Sequence, residues 1–206
     1  MNKKDPTLIA NIFDRLAGKY DILNDIFSFG IHRFWKREML RMLNPRPGQY
    51  WLDLCCGTGD LTFRLARYVR PGGYVLGIDF SAQALQVARK RHRSKSFLPI
   101  SLEKKDVLNN SLSSYTFDGI SMAYGLRNLS NPRQGLSEIY RLLKPGGKAA
   151  VLDFSRMKKG SLGDRFQKLY LSKFVVPFSS RLGLGKEYSY IQESLETFPT
   201  GIEQRS

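Results

Sequence analysis

Trp51-Leu52-Asp53-Leu54-Cys55-Cys56-Gly57-Thr58-Gly59-Asp60-Leu61-Thr62 is the stretch whose reading decides the fold. An apolar run ends in a Gly-x-Gly turn, and an amphipathic segment starts immediately after it: a β-strand, a tight loop and a helix N-terminus. Gly57 and Gly59 let the backbone take positive φ and let a ligand approach without meeting a Cβ, while the first-turn N–H groups of the next helix stay free to bind it. An ordinary strand-to-helix turn uses the same letters, so the loop by itself marks only a place where a ligand fits.

The next strand sharpens this. Tyr74-Val75-Leu76-Gly77-Ile78-Asp79 is a buried strand ending in a carboxylate, at the spacing of about 20 residues where nucleotide-binding βαβ units receive a ribose diol. A nucleoside cofactor follows. A dinucleotide fingerprint needs a third glycine, and its place is held by Thr62. The short acidic Gly-Thr-Gly-Asp loop, with no pyrophosphate to accommodate, suits a cofactor with a sulfonium and an amino-acid end, S-adenosyl-L-methionine, better than NAD.

Outward from this core, Ile9, Ile12, Phe13, Leu16 and Tyr20 recur at helical spacing behind Asp5-Pro6, which predicts an N-terminal amphipathic helix. The aromatic-rich segment 20–35 reads as helical turns broken at Gly30, a candidate lid in which His32 is a satisfied polar residue, not a catalyst. Trp35, Met39, Met42 and Leu43 then form one helical stripe closed by Asn44-Pro45-Arg46-Pro47-Gly48. Leu61, Leu65 and Val69 give the post-loop helix its apolar face, and Ser81 caps a helix carrying Ala84, Leu85 and Ala88. Strands are expected over 97–102, 117–124 and 148–154, with a helix from Asn131-Pro132 bearing Leu136, Ile139, Tyr140 and Leu143 and ending at Lys144-Pro145-Gly146-Gly147. Residues 162–177 read as helical and 179–185 as a small-residue loop. Alternating strands and helices predict an α/β fold, a mostly parallel sheet with helices on both faces and ligands at the strand carboxyl ends. Asp106, just past the third strand, is placed to meet an adenine amino group.

Length and composition set the bounds. A chain of 206 residues is expected to be one domain: a helical layer or lid over 1–48, a cofactor core over 49–155 and a substrate-side segment over 156–206. No apolar run approaches a membrane span, and Met1-Asn2-Lys3-Lys4-Asp5-Pro6 has no apolar core behind its lysines, which predicts a soluble, cytoplasm-facing protein. The only cysteines, Cys55 and Cys56, are adjacent and form neither an ordinary disulfide nor a Cys-x-x-Cys clip; they read as packing residues, and no metal site is expected. Lys and Arg total 33 against 18 Asp and Glu, a net charge of +15 that attracts phosphate on nucleic acid or on anionic lipid.

Several segments are more specific. The glycine loop, Phe117-Asp118 and Leu142-Leu143-Lys144-Pro145-Gly146-Gly147 resemble class I S-adenosylmethionine-dependent methyltransferases, which implies a Rossmann-like core. Phe13-Asp14, Lys19-Tyr20-Asp21, Phe29-Gly30-Ile31-His32-Arg33, Tyr124-Gly125-Leu126-Arg127-Asn128 and the segment 188–204 resemble the ubiquinone/menaquinone C-methyltransferases. Cys55-Cys56 and the residues around Trp51 are most similar to the cyanobacterial and plastid branch acting on 2-phytyl-1,4-naphthoquinone. The resemblance implies cofactor contacts at Thr58, Asp79, Asp106 and Val107, within a site that also takes in Asp53, Gly57 and Gly59. A further family contact, often serine, falls on Ala123, which brings no hydroxyl. Relatives continue past a segment like Gly201-Ile202-Glu203-Gln204 into two last strands, so the sheet is expected to lack them, and its open edge to give low solubility or a homodimer, with weak or absent methyl transfer despite residual cofactor binding.

The implied reaction is methylation of a prenylated naphthoquinol, with Arg127 stabilising the developing phenolate because a guanidinium stays charged. The lipid-soluble tail, the basic surface and Phe27, Phe29, Phe34 and Trp35 then predict peripheral contact with an anionic membrane. The alternative reading is a basic RNA-binding methyltransferase-like protein without quinol chemistry; nucleic acid is not the expected partner.

Overall fold

β1 (Tyr50–Leu54) is the central strand of the sheet in the computed structural model, and its flanks explain why. Trp51, Leu52, Asp53 and Leu54 are all buried, so both faces of this strand are covered. The structure describes residues 30–154 continuously, with 160–162, 165, 169–181 and positions 12, 14, 25 and 28. Two compact units form, Met1–Leu152 and Asp153–Ser206.

In the first unit α1 (Ile31–Leu43) precedes β1, and α2 (Asp60–Tyr68), β2 (Tyr74–Asp79), α3 (Ala82–Arg93) and β3 (Ile100–Lys104) follow it. β4 (Phe117–Ala123), a 3-10 turn at Leu126–Asn128, α4 (Pro132–Leu142) and β5 (Leu143–Leu152) complete it. All described strand pairs are parallel, in the order β3-β2-β1-β4-β5, so the expected α/β fold with a parallel five-stranded sheet is what forms. The expected caps are present: Ser81 Oγ accepts from the Ala84 N–H at 3.0 Å, and Asn131 Oδ1 from the Gln134 N–H at 3.1 Å with Pro132 in the first turn.

Register positions the site. Val75, Trp51 and Gly119 lie abreast on β2, β1 and β4, and two residues on Gly77, Asp53 and Ser121 do the same. A Cβ on Gly119 would stand 2.3 Å from the Trp51 ring, so the glycine leaves the space that the buried indole fills. Trp51, Leu65, Val69 and Val75 form one core with Met39, Leu40 and Leu43 of α1. The opposite row, Leu52, Leu54, Ile78, Ile120 and Met122, has no solvent exposure.

Four local expectations are corrected. The buried stripe of α1 is His32, Lys36, Met39, Leu40 and Leu43, while Trp35 and Met42 face outward: the helix is rotated so that two polar residues go in. On α4 it is Gly135, Ile139 and Leu142 that are buried, with Leu136 and Tyr140 exposed. β3 starts at Ile100, not 97, because the Leu98 N–H turns back onto the Lys95 carbonyl. β5 starts at Leu143 and not at 148: Phe117 pairs with Leu143 and Gly119 with Lys148, so 144–147 bulges inside the strand, with Gly146 at φ 78°.

In the second unit, a π-helical turn Leu171–Val175 leads into α5 (Val176–Arg181). Ser179 and Ser180 are therefore helical where a loop is expected. The amphipathic helix from Asp5-Pro6 is seen only at Ile12 and Asp14, both helical; of the candidate lid 20–35 the positions 25, 28 and 30–35 are described, with Gly30 at φ 74° just before α1, while Phe27, Phe29 and the segment 182–206 lie outside the described residues.

Candidate functional site

The carboxyl ends of β1, β2 and β4 open into a cleft of about 150 Å3, the place where ligands of open parallel sheets bind. Its wall holds Asp53, Gly57, Thr58, Asp79, Asp106, Val107 and Ala123, so these residues expected from the sequence lie on one surface. Gly59 lies directly behind, as the left-handed N-cap of α2 at φ 88°.

The loop is held from several sides. Gly57 takes φ 54° with nothing within 4 Å of where a Cβ would be, so its outer face is open to a ligand. Its N–H donates to Asp79 Oδ2 at 2.7 Å, and the Ser81 N–H donates to Asp79 Oδ1 at 2.8 Å. Arg91 of α3 donates to the Thr58 carbonyl at 3.2 Å. Burial pushes the Asp79 carboxyl up and the Asp14 carboxylate adds to this, against the backbone N–H groups of Ser81, Gly57 and Phe80, which favour the charged form. Each oxygen keeps a lone pair beyond these bonds, and Asp79 faces the cleft.

Asp53 has a different role. It is 1% exposed and accepts from Thr62 Oγ1 of α2 and from Ser121 Oγ of β4, both at 2.6 Å. Desolvation raises its pKa to about 6 even though the two hydroxyls and Lys36 favour the charged form. It therefore ties β1, α2 and β4 together beneath the loop. A Cβ on neighbouring Gly77 would lie 3.1 Å from Thr62 Oγ1, so the glycine makes room for that tie.

On the far side, Asp106 Oδ1 accepts from the Leu108 N–H at 2.9 Å, with Val107 buried beside it. Past Ala123, Tyr124 takes φ 61°, left-handed for a bulky residue, and the chain enters the 3-10 turn. Arg127 is 2% exposed, donates from Nη1 to the Tyr124 carbonyl at 2.9 Å, and is not on the cleft wall. Its neighbour Asn128 is on that wall: Nδ2 donates to the same carbonyl at 3.1 Å, and the buried Oδ1 has no hydrogen-bond partner among the described residues. His32 is the satisfied residue expected, bonded to Ser28 Oγ at 2.7 Å. Cys55 and Cys56 line the cleft, and burial drives the Cys56 thiol well up, away from the reactive thiolate.

Sequence reasoning missed Lys36 and its pairing with Asp60, the acid of the glycine loop. Lys36 is 7% exposed on α1, and its ammonium donates to Asp60 Oδ2 at 3.0 Å, at the first position of α2. The signal available was a lysine four residues after a histidine, on the buried face of an otherwise apolar helix. The cleft then carries four carboxylates (Asp53, Asp60, Asp79, Asp106) and two ammonium groups (Lys36, Lys105), and no arginine. An acidic cleft within a chain of net charge +15 favours a cationic ligand over a pyrophosphate. No cluster of His, Cys, Asp and Glu suited to a metal ion occurs among the described residues.

A Nostoc punctiforme protein named 2-phytyl-1,4-naphtoquinone methyltransferase is 47% identical over 95% of this chain and 85% of its own. A chloroplastic 2-phytyl-1,4-beta-naphthoquinone methyltransferase of Arabidopsis thaliana is 37% identical over 93% of this chain and 74% of its own. Among solved structures, a SAM dependent methyltransferase from Aquifex aeolicus superposes with a TM-score of 0.57 at 22% identity, covering 76% of this chain and 77% of that one, a likeness of fold alone. Residues 1–204 match the ubiE/COQ5 methyltransferase family, and the chain belongs to it.

Proposed function

We propose that this chain transfers a methyl group from S-adenosyl-L-methionine to a ring carbon of a prenylated naphthoquinol, the 2-phytyl-1,4-naphthoquinol named in its relatives or a demethylmenaquinol. The observation that carries the cofactor is the acidic cleft at the glycine loop of a methyltransferase-family chain. Asp79 fits a ribose diol, and Asp106 with Val107 fits the adenine edge. Gly57, Thr58 and Gly59 let the ligand lie against backbone, with Asp53 fixing the loop from below. Ala123 gives the wall a methyl group where a hydroxyl would add a bond. The orphaned Asn128 Oδ1 is an acceptor suited to an ammonium or hydroxyl donor.

When bound, this cofactor supplies an electrophilic methyl group on a sulfonium. The ring carbon becomes nucleophilic as a phenolic proton, with a pKa of about 10 in water, is lost. A fixed cation lowers the cost of that developing phenolate, and Arg127, one residue from the cleft wall, is the candidate for it. Phe80, Leu108 and Leu129 line the cleft with apolar surface that holds back water.

A lipid-soluble substrate calls for contact with a membrane surface. Ile31, Phe34, Trp35 and Met42 are exposed on α1 beside Arg33, Arg37 and Arg41, an apolar and cationic mixture suited to anionic lipid. No helix among the described residues is long and apolar enough to cross a membrane. The direct test is incubation with labelled S-adenosylmethionine and a reduced demethyl-naphthoquinone, followed by product mass. A methylated quinol is expected, and its absence with cofactor bound would remove the substrate assignment.

A further inference from the structure

A lysine is almost never this deeply buried unless paired, and Lys36 is paired only in part. Its ammonium has three N–H donors. Asp60 takes one at 3.0 Å, and the ring of Tyr124 lies 5.8 Å away on the cleft wall. Asp60 is shared, because Arg64 Nε donates to its other oxygen at 3.0 Å. Burial raises the Asp60 carboxyl, but the two cations outweigh it and hold the group below its ordinary range. One carboxylate is thus shared by two cations, and it takes only one of the three N–H donors of Lys36. Asp53 feels the charge of Lys36, but its own oxygens are taken by Thr62 and Ser121.

The sheet order says what this charge faces. Asp79 ends β2 and Tyr124 follows β4, with β1 and the glycine loop between them. Two strand spacings separate those ends, about 10 Å. That is of the order of the distance from the ribose of S-adenosylmethionine to the carboxylate at its methionine end. We propose that Lys36, steadied by Asp60, binds this carboxylate and so fixes the end of the cofactor opposite the ribose. The inference rests on the cofactor reading given above.

Calorimetry on the full chain with S-adenosylmethionine and with decarboxylated S-adenosylmethionine tests it, since the two differ at the carboxylate alone. The intact protein should prefer the carboxylated ligand by about 10- to 100-fold, the range of a charged hydrogen bond. Lys36→Met should lose most of that preference while keeping its affinity for the decarboxylated ligand. Equal binding of the two ligands by the intact protein would overturn the proposal, and this arm needs no variant to fold. A folded Lys36→Met protein that keeps the full preference would also overturn it, making Lys36 a strut between α1 and α2. Failure of the intact protein to bind either ligand would overturn the cofactor reading itself.

Discussion

The two halves of the sheet are built from the same strand-helix unit but solve different problems. In the β1-α2-β2 half the strand pairing is regular and positive φ occurs only in the loops, at Cys55, Gly57, Gly59 and Gly72, and carboxylates do the holding: Asp53 clamps α2 from below and Asp79 clamps the loop from the side. In the β4-β5 half the backbone itself is irregular, with a left-handed Tyr124, a 3-10 turn carrying Arg127 and Asn128, and a bulge that shifts the register of β5. β5 is also far more exposed than β1. The difference suggests a division of labour. On the proposed function, the ribose end of the cofactor meets the carboxylate-held loop of the first half, and the turn after β4 supplies side chains to its other end and to the substrate.

Arg127 offers the largest break of that division. If it stabilises charge on the quinol oxygen, Arg127→Ala should lose roughly 100- to 1000-fold in turnover, the scale of one lost oxyanion donor. Affinity for S-adenosylmethionine should fall far less than turnover, since Arg127 is not on the cleft wall. Retained turnover with a lower melting temperature would instead make Arg127 a tie for the Tyr124 carbonyl.

Asp79→Ala is the matching change in the regular half, and calorimetry should show a loss of about 1.5–3 kcal/mol in cofactor affinity. It removes the proposed ribose acceptor and also frees the N–H groups of Gly57 and Ser81. Product formation at saturating cofactor should therefore recover much of the wild-type rate, in contrast to Arg127→Ala. Unchanged affinity in a folded variant would sink the ribose assignment.

How much of this was legible in the sequence follows the same divide. Around the glycine loop, apolar runs, glycines and caps all change at the same positions, so strand, loop, helix and Asp79 could be placed by local pattern. The clamps on Asp53 could not, because Ser121 lies 68 residues away and nothing local links the two. Lys36 was hidden by its residue type: the stripe was drawn through Trp35 and Met42, which are apolar but exposed, while a histidine and a lysine took the buried positions. In the other half, Lys144-Pro145-Gly146-Gly147 has the letters of a helix stop. It serves as a bulge because β4 still offers pairing to Leu143 on one side of it and to Lys148 on the other. Turn residues mark a break in regular backbone, and only the neighbouring strand decides whether pairing continues across it.

Gly119→Ala tests the seam where the halves meet. Its Cβ would lie 2.3–2.5 Å from three carbons of the Trp51 ring, and Trp51 is 1% exposed, with little room to move. Overpacking of this kind costs about 1–3 kcal/mol, visible as a lower denaturant midpoint. If the halves move independently, the variant should melt near the wild-type midpoint.

Asp53→Asn makes the smallest change and asks what the regular half loses by keeping an acid at its centre. The folded carboxyl titrates at about 6 against 3.8 for the free group, so between those values the folded state holds the proton more tightly. The stability that this group contributes is fully present below pH 3.8 and is lost as pH rises through about 6. Asparagine keeps the shape and removes the titration. From pH 5 to pH 8 the wild type should therefore lose about 1 kcal/mol more stability than Asp53→Asn, whatever the other groups do, because they are common to both proteins. Urea unfolding at the two pH values measures that difference. Parallel loss in the two proteins would mean that the carboxyl titrates at its ordinary value despite its burial. A larger loss in the variant would mean that the ionised carboxylate, held by Thr62 and Ser121, is worth more to the fold than its desolvation costs.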